Sequence, residues 1–336
     1  MRTDPAEEST VTRRTRLLTR LIGTACVVGS AALVPAEAQA PSEIPSVDVA
    51  RGRLGPAAYP RRAMDPNGGT IQLDAAPERI VSLHTNTDEY LMGVVPPERI
   101  VGVTSSAYDE DFSRLPDLLA PYEPGIATDA ASILALEPDL VIGTLSTSSE
   151  VVYALEAAKI PVFRLDTLVT RLEQVAENIT VLGYITGQDE LARQARARSE
   201  SEITAIADQC AAPRPRVRIF GHSMTGFSYG DQTLFHDVVR LIGAVNVAAE
   251  GGLHTYERID REDVLAWNPD WVFTWANPGE EAKELQRWMG DPYLGQTSAA
   301  ITRRIVVSDG RDTRRLSPLI TTRARTIADA VCAPAN

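Results

Sequence analysis

The chain has 336 residues, with 45 acidic against 33 basic side chains and a formal net charge of −12. That acidity, without a dense Lys/Arg run, argues against nucleic acid as a partner, and 44% hydrophobic with 23% charged residues is the balance of a globular chain rather than a disordered one. Beyond the N-terminus no uncharged apolar run approaches the ~20 residues that a membrane span needs.

The first element reads as an address. Arg13, Arg14, Arg16 and Arg20 precede an uncharged stretch from Leu21 to Val34, and small residues at A-x-A spacing follow. This predicts a secretory signal peptide over 1–38, cut after Ala38, with the site after Ala40 as the other option. Cys26 does not fit a lipid-anchor cysteine, because Gly23 stands where Leu is usual and the apolar run continues past it. Export leaves Cys210 and Cys332, which an oxidising compartment favours pairing; two buried free thiols are the alternative. Neither has histidines at zinc-ligand spacing.

Residues 39–77, with several Pro and Gly, form a leader ending in a hairpin around Asn67-Gly68-Gly69. From residue 78 short β-branched runs alternate with helix-like stretches. The strands are Arg79–Leu83, Arg99–Val103, Asp139–Thr144 and Pro161–Leu165; the helices include Thr87–Val95, Asp129–Glu137 and Glu150–Lys159. Such alternation indicates βα units around a mainly parallel sheet. Asp189 to Ala212, rich in Ala, Glu and Arg, reads as one solvent-washed helix closed by Pro213 and Pro215. A second set of strands follows at Val217–Phe220, Trp271–Trp275 and Arg304–Ser308.

One phrase occurs twice. Ile133–Val141 is ILALEPDLV and Val264–Val272 is VLAWNPDWV, 131 residues apart. In each a helix ends, Pro-Asp breaks it and a buried strand begins, since Pro cannot continue the helix and Asp favours the turn. The expected fold class is α/β with two similar lobes of mainly parallel sheet: an N-terminal lobe over 78–188, a rigid connecting helix over 189–212 and a C-terminal lobe over 213–332.

The run from Tyr59 to Leu83, YPRRAMDPNGGTIQLDAAPERIVSL, looks like the opening of a mature siderophore-binding protein. The order that follows (RIVGVTS, ILALEPDLVIGT, IPVFRLD, a long helix, a second lobe) resembles the periplasmic Fe/B12 substrate-binding proteins of ABC importers, over roughly residues 59–332. The resemblance implies a periplasmic, monomeric, non-enzymatic protein without a resident cofactor. It implies a class III arrangement in which two lobes clamp a ferric siderophore, haem or, as the alternative, a cobalamin, and deliver it to the importer's permease. A sensor that binds the same ligand is a further possibility of the same fold.

Open α/β sheets bind ligands at the carboxyl ends of their strands. In the N-terminal lobe those ends carry His84, Thr85, Asn86, Ser106, Tyr108 and Thr144; in the C-terminal lobe they carry His222, Phe227, Tyr229, Asn277 and the trio Arg311, Arg314 and Arg315. Tyr256, six residues before Glu262, matches a cleft aromatic of the vitamin B12-binding members. Imidazole and phenolate can ligate iron, but no H-x-H or H-x-x-x-H spacing marks a preformed metal site, so the histidines are read as polar loop residues first. A guanidinium of the arginine trio could pair with carboxylate, hydroxamate or phosphate oxygens. For permease docking the family places a Glu on each lobe. Glu262 inherits that role in Arg261-Glu262-Asp263-Val264-Leu265, whereas the first lobe has Ala131 at the matching position and Asp129 as a possible substitute. Both acids also suit a helix start on dipole grounds alone.

Gly221-His222-Ser223-Met224 after a strand evokes a hydrolase nucleophile elbow, which would make Ser223 a nucleophile. Thr225 replaces the second glycine, however, and Gly226-Phe-Ser-Tyr-Gly-Asp does not read as the required helix. The hydrolase reading is therefore set below the binding protein.

Overall fold

The computed structural model describes residues 47–49, 52–110, 113, 125–212, 215–313 and 316–333. The expected signal peptide, the start of the leader, and Arg314 and Arg315 lie outside the described residues.

The leader forms an antiparallel sheet of β1 (Val47–Val49), β2 (Gly52–Leu54), β3 (Arg61–Met64) and β4 (Thr70–Leu73). The β3–β4 turn closes on Asp65, whose Oδ1 accepts the amides of Asn67 and Gly69 at 2.9 and 2.8 Å. The same carboxylate pairs with Arg164 at 2.6 Å and so fastens this sheet to the lobe behind it.

The first lobe runs β5 (Ile80–Ser82), α1 (Thr85–Met92), β6 (Ile100–Gly102), α2 (Ala130–Leu134), β7 (Leu140–Thr144), α3 (Ser149–Ala157) and β8 (Val162–Leu165). Its four strands are parallel in the order β6-β5-β7-β8. Two long helices follow, α4 (Leu172–Thr186) and α5 (Asp189–Gln209). The second lobe then runs β9 (Arg218–Gly221), β10 (Phe227–Tyr229), α6 (Leu234–Leu241), β11 (Val245–Asn246), α7 (Val247–Glu250), β12 (Tyr256–Arg258), α8 (Arg261–Trp267), β13 (Trp271–Ala276), α9 (Glu281–Gly290), α10 (Ser298–Ile301), β14 (Ile305–Asp309), α11 (Gly310–Thr313) and α12 (Ile320–Cys332). Its parallel order is β11-β9-β13-β14, while β10 and β12 pair apart as an antiparallel ribbon. Counted from one within each lobe, both parallel sheets read 2-1-3-4.

The doubled phrase performs the same task in both lobes. After its helix the chain turns through the left-handed region, at Glu137 (φ 46°) two residues past the cap in lobe one and at the cap Asn268 (φ 43°) itself in lobe two. The aspartate after Pro then reaches the amino end of the neighbouring strand. Asp139 accepts the amides of Glu78 and Arg79 at 2.7 and 2.9 Å, and Asp270 accepts that of Arg218 at 2.9 Å. The arginine at that strand start donates back to the helix end, Arg79 to the Leu136 carbonyl at 2.6 Å and Arg218 to the Trp267 carbonyl at 3.2 Å. Each clip satisfies the orphan carbonyls of a helix terminus and fixes which strand lies beside which.

Strand alternation divides the core. Ile80, Leu140 and Ile142 of the first sheet and Ile219 and Phe273 of the second point into one cluster that runs through both lobes. Val81 and Val141 pack on the opposite face of the first sheet, and Phe220 and Val272 on that of the second, each over its own smaller cluster. This is the period-2 pattern of sheets covered on both faces. A shared central core makes relative rotation of the lobes costly, because it would expose apolar area at roughly 25 cal/mol per Å².

Helices α4 and α5 fold back on each other through Gly187 (φ 71°). At Gly183 a Cβ would stand 2.1 Å from the Ala192 Cβ, so only glycine permits this close approach. Helix α5 buries only Ala192, Ser199 and Ile206 and ends at Gln209, three residues short of the sequence expectation, with Cys210 as its cap. Cys210 is disulfide-bonded to Cys332 at the end of α12, with Cα atoms 5.3 Å apart. No helix among the described residues is long and apolar enough to cross a membrane.

Candidate ligand-binding site

The carboxyl ends of the two parallel sheets meet. After β14, Arg311 donates to the Glu110 carbonyl of the first lobe at 2.8 Å, the Leu316 amide donates to Asn86 at 3.4 Å, and the Ser317 hydroxyl donates to Glu89. Further back, Asp237 of α6 accepts the Leu172 amide that opens α4, at 2.8 Å. Strand-end loops of both lobes therefore meet at one place, where the topology rule puts a ligand.

In the first lobe His84 caps α1, its Nδ1 accepting the Asn86 amide at 3.1 Å, and partial burial lowers its pKa. Thr85 follows half-buried, and Asn86 is buried by its contact with Leu316. Ser106 is exposed on the 3-10 turn Ser105–Tyr108, and Tyr108 packs half-buried against the shared core. Thr144 is buried, with its hydroxyl 2.8 Å from that of Ser146 in the turn closing β7, so it shapes the loop rather than offering a group to the cleft.

In the second lobe His222 departs from the expected placement. It shares the outer face of β9 with Phe220, and its ring lies edge-on against the fully buried Trp288 at 5.3 Å. Its Nδ1 has no hydrogen-bond partner among the described residues, and burial, aided by Arg287, depresses its pKa to about 4. Two-residue periodicity carries its side chain into the core instead of the cleft. Arg311 is half-buried and held by the Asp309 carboxylate, with Nη2 to Oδ2 at 2.6 Å, which aims it across to Glu110. Asn277 is exposed and reaches Glu280 at 3.2 Å.

The aromatic residues gather on the β10–β12 ribbon. Tyr229 and Tyr256 are direct cross-strand partners, with ring centroids 5.2 Å apart at 76°. Tyr229 is buried while Tyr256 keeps 53% of its surface exposed. Phe227 opens the same strand half-buried, under the Arg258 guanidinium at 5.2 Å. Nearby, Met224 and Ala276, at the carboxyl ends of β9 and β13, form a pocket of about 170 Å³ with Glu280, Lys283, Glu284 and Arg287. Glu284 is buried and gripped by Arg287 through contacts of 2.7 and 2.6 Å, which raises the arginine's pKa. Sequence reasoning missed these four because they lie on or beside helix α9; the one signal was Lys283, since lysine occurs only there and at Lys159.

Ser223 is buried in a tight turn. Its hydroxyl lies 2.8 Å from that of Thr225 and accepts the Phe227 amide at 3.1 Å, and a strand follows where an elbow would need a helix. His254 pairs instead with Asp231 at 3.1 Å. At the positions expected to dock a permease, Glu262 is exposed in the first turn of α8. Asp129 is the N-cap of α2, accepting the Ser132 amide at 3.0 Å and hydroxyl at 2.7 Å, contacts that lower its pKa.

A family model described as "Periplasmic binding protein" matches residues 80–311, more than half of the chain. A cobalamin-binding protein of Halobacterium salinarum is 26% identical over 220 residues, 64% of this chain but only 58% of that relative's length. A vitamin B12-binding protein of Yersinia pestis is 28% identical over 204 residues, 60% of this chain and 70% of the relative. Among solved structures, a periplasmic heme-binding protein from Roseiflexus superposes with a TM-score of 0.64 at 24% identity, covering 75% of this chain and 97% of that one. The matched segment takes in both parallel sheets, from β5 to the end of β14, with α4 and α5 between them: the chain belongs to the periplasmic binding protein family.

Proposed function

We propose that this protein is exported by its N-terminal signal peptide, captures a large metal complex in the interlobe cleft and hands it to the permease of an ABC importer. The observation that carries the reading is Tyr256, an aromatic ring half-exposed on a buried aromatic base at the cleft end of lobe two. Such a ring offers a large apolar face at little entropic cost. Between ligand classes, two sequence relatives named for cobalamin or vitamin B12 support a corrinoid. The iron-complex reading, haem or ferric siderophore, draws on the Roseiflexus heme-binding neighbour and on the cleft arginine Arg311.

Capture needs no chemistry. The closed arrangement only has to bind the ligand better than the open one, and a core continuous through both lobes limits the movement to small rotations. The test is titration of the purified mature protein with cyanocobalamin, haemin and a ferric hydroxamate, read by absorbance and by native mass spectrometry. A 1:1 complex with one of them is expected, weakened at least tenfold by Tyr256→Ala. Absence of binding to all three would end the reading.

A further inference from the structure

Tyr256 does not rest on Tyr229 alone. The Arg323 guanidinium, from the C-terminal helix α12, lies 5.0 Å from the Tyr229 ring centroid and 5.0 Å from that of Phe235. Tyr229 and Phe235 are themselves 5.0 Å apart. All three are buried, at 8% exposure for Arg323, 4% for Tyr229 and 2% for Phe235. The base of this stack is cut to shape by Gly221, where a Cβ would stand 2.6 Å from the Phe235 ring and 2.7 Å from the Tyr229 ring. The Tyr229 backbone is pinned as well, its carbonyl accepting the Asn246 side-chain amide at 2.7 Å.

We infer that Arg323 is a positioning residue for ligand recognition: buried against the rings of both Tyr229 and Phe235, it fixes the shelf that holds Tyr256 ready at the cleft. The inference rests on the reading of Tyr256 as a ligand contact. A desolvated cation over an aromatic face attracts it strongly, and here one cation meets two rings, so Tyr229 cannot tilt without losing contact with Arg323. Tyr256, directly opposite on the ribbon, meets the Tyr229 ring edge to face. A side chain already ordered in the free protein loses less freedom on binding, and the saving for one such side chain corresponds to roughly a two- to tenfold gain in affinity. Recognition in lobe two thereby depends on a helix at the far end of the chain that carries no strand-end loop.

The test is a double-mutant cycle with whichever of cyanocobalamin, haemin and a ferric hydroxamate binds the wild type. Arg323→Met should weaken binding about fivefold with Tyr256 present and less than twofold on a Tyr256→Ala background. Equal losses on both backgrounds, or no loss on either, would overturn the inference, since a merely structural arginine acts regardless of Tyr256. A second readout needs no ligand. The ring resonances of Tyr256 in the free, ¹³C-tyrosine-labelled protein should shift and broaden in Arg323→Met, and an unchanged ring would also overturn the proposal. If none of the three probes binds the wild type, the proposed function fails, and the ring resonances still decide whether Arg323 positions Tyr256.

Discussion

In lobe one Asp139 holds two amides at the start of its neighbouring strand and in lobe two its counterpart Asp270 holds one, and Arg79 adds a bond to the Glu137 carbonyl where Arg218 pairs with Glu250, yet the two clips otherwise follow one pattern. The same parallel order, left-handed turn after the helix and returning arginine occur in each. At the opposite ends of the strands the lobes diverge. Lobe one places the buried carboxyls Asp88 and Glu89 on α1 there, while lobe two inserts the β10–β12 ribbon and turns His222 under Trp288. The amino ends thus carry one scaffold twice, and the carboxyl ends carry what distinguishes one lobe from the other.

That division can be broken experimentally, beginning with the largest effect. Under the proposed function, Glu262→Arg should abolish import in cells while leaving ligand affinity within twofold, because charge reversal at an exposed acid in the expected docking position repels the partner. Asp129→Arg, at a position already used as a helix cap, should reduce import far less. Equal loss of import in both variants would show symmetric docking. Next, replacing both Cys210 and Cys332 by serine should cost about 4 kcal/mol, since the bond closes a loop of 122 residues in the unfolded chain. Urea unfolding of the oxidised and substituted proteins measures it, and a change below 1 kcal/mol would contradict the expectation.

The buried ionisable groups should oppose each other across pH. Burial lifts the Asp88 pKa to about 7 from an ordinary 3.8, although its Oδ2 accepts from Thr104 at 2.6 Å, which favours the charged form. Its folded pKa is raised, so its stabilising contribution is complete below pH 3.8 and is lost as pH climbs through 7. The folded pKa of His222 is instead depressed to about 4 from 6.5, so its contribution is complete above pH 6.5 and is lost as pH falls through 4. Between pH 4 and 6.5 the two slopes cancel in part. Relative to wild type, Asp88→Asn should make stability rise with pH in this window and His222→Gln should make it fall, each by about 3 kcal/mol. Denaturation midpoints at pH 4.5 and 6.5 give the signs, and slopes of the same sign would refute the pair.

The clips themselves should show the difference between two amides and one. Asp139→Ala should destabilise by about 2 kcal/mol and Asp270→Ala by about 1 kcal/mol, and the reverse order in thermal melts would argue that burial outweighs bond count. The smallest effect concerns the helix ends. Glu137 occupies a left-handed conformation that Asn tolerates better, and Asn268 already fills the matching place while accepting the Ser298 amide at 2.7 Å. Glu137→Asn should therefore add about 0.5 kcal/mol. A lower melting temperature in that variant would mean that the Glu137 side chain contributes something its φ angle conceals.

The plan of the lobes was legible because buried parallel strands are short β-branched runs and the Pro-Asp phrase marks where each begins. Its long-range meaning was not, since Asp139 finds its partner Arg79 60 residues back. Helix α4 escaped notice for a related reason. Twelve of its fifteen residues are buried, so no polar stripe betrays the helical period. In the site, the strand-end rule located the loops but not the direction of each side chain: the Thr144 hydroxyl turns into its own loop and the His222 ring into the core. Arg323 and the α9 residues of the pocket lie on helices, where that rule is silent.

The bond between Cys210 and Cys332 joins the two ends of lobe two, making that lobe a covalent ring attached to the rest of the chain only at the end of α5. A protease cut in any loop between the two cysteines would leave both pieces connected until a reductant was added, so a nicked protein would run intact on a non-reducing gel. With its ends 5.3 Å apart, lobe two could also be reopened at a different loop as a circular permutant joined by a short linker, and its strands would keep their neighbours.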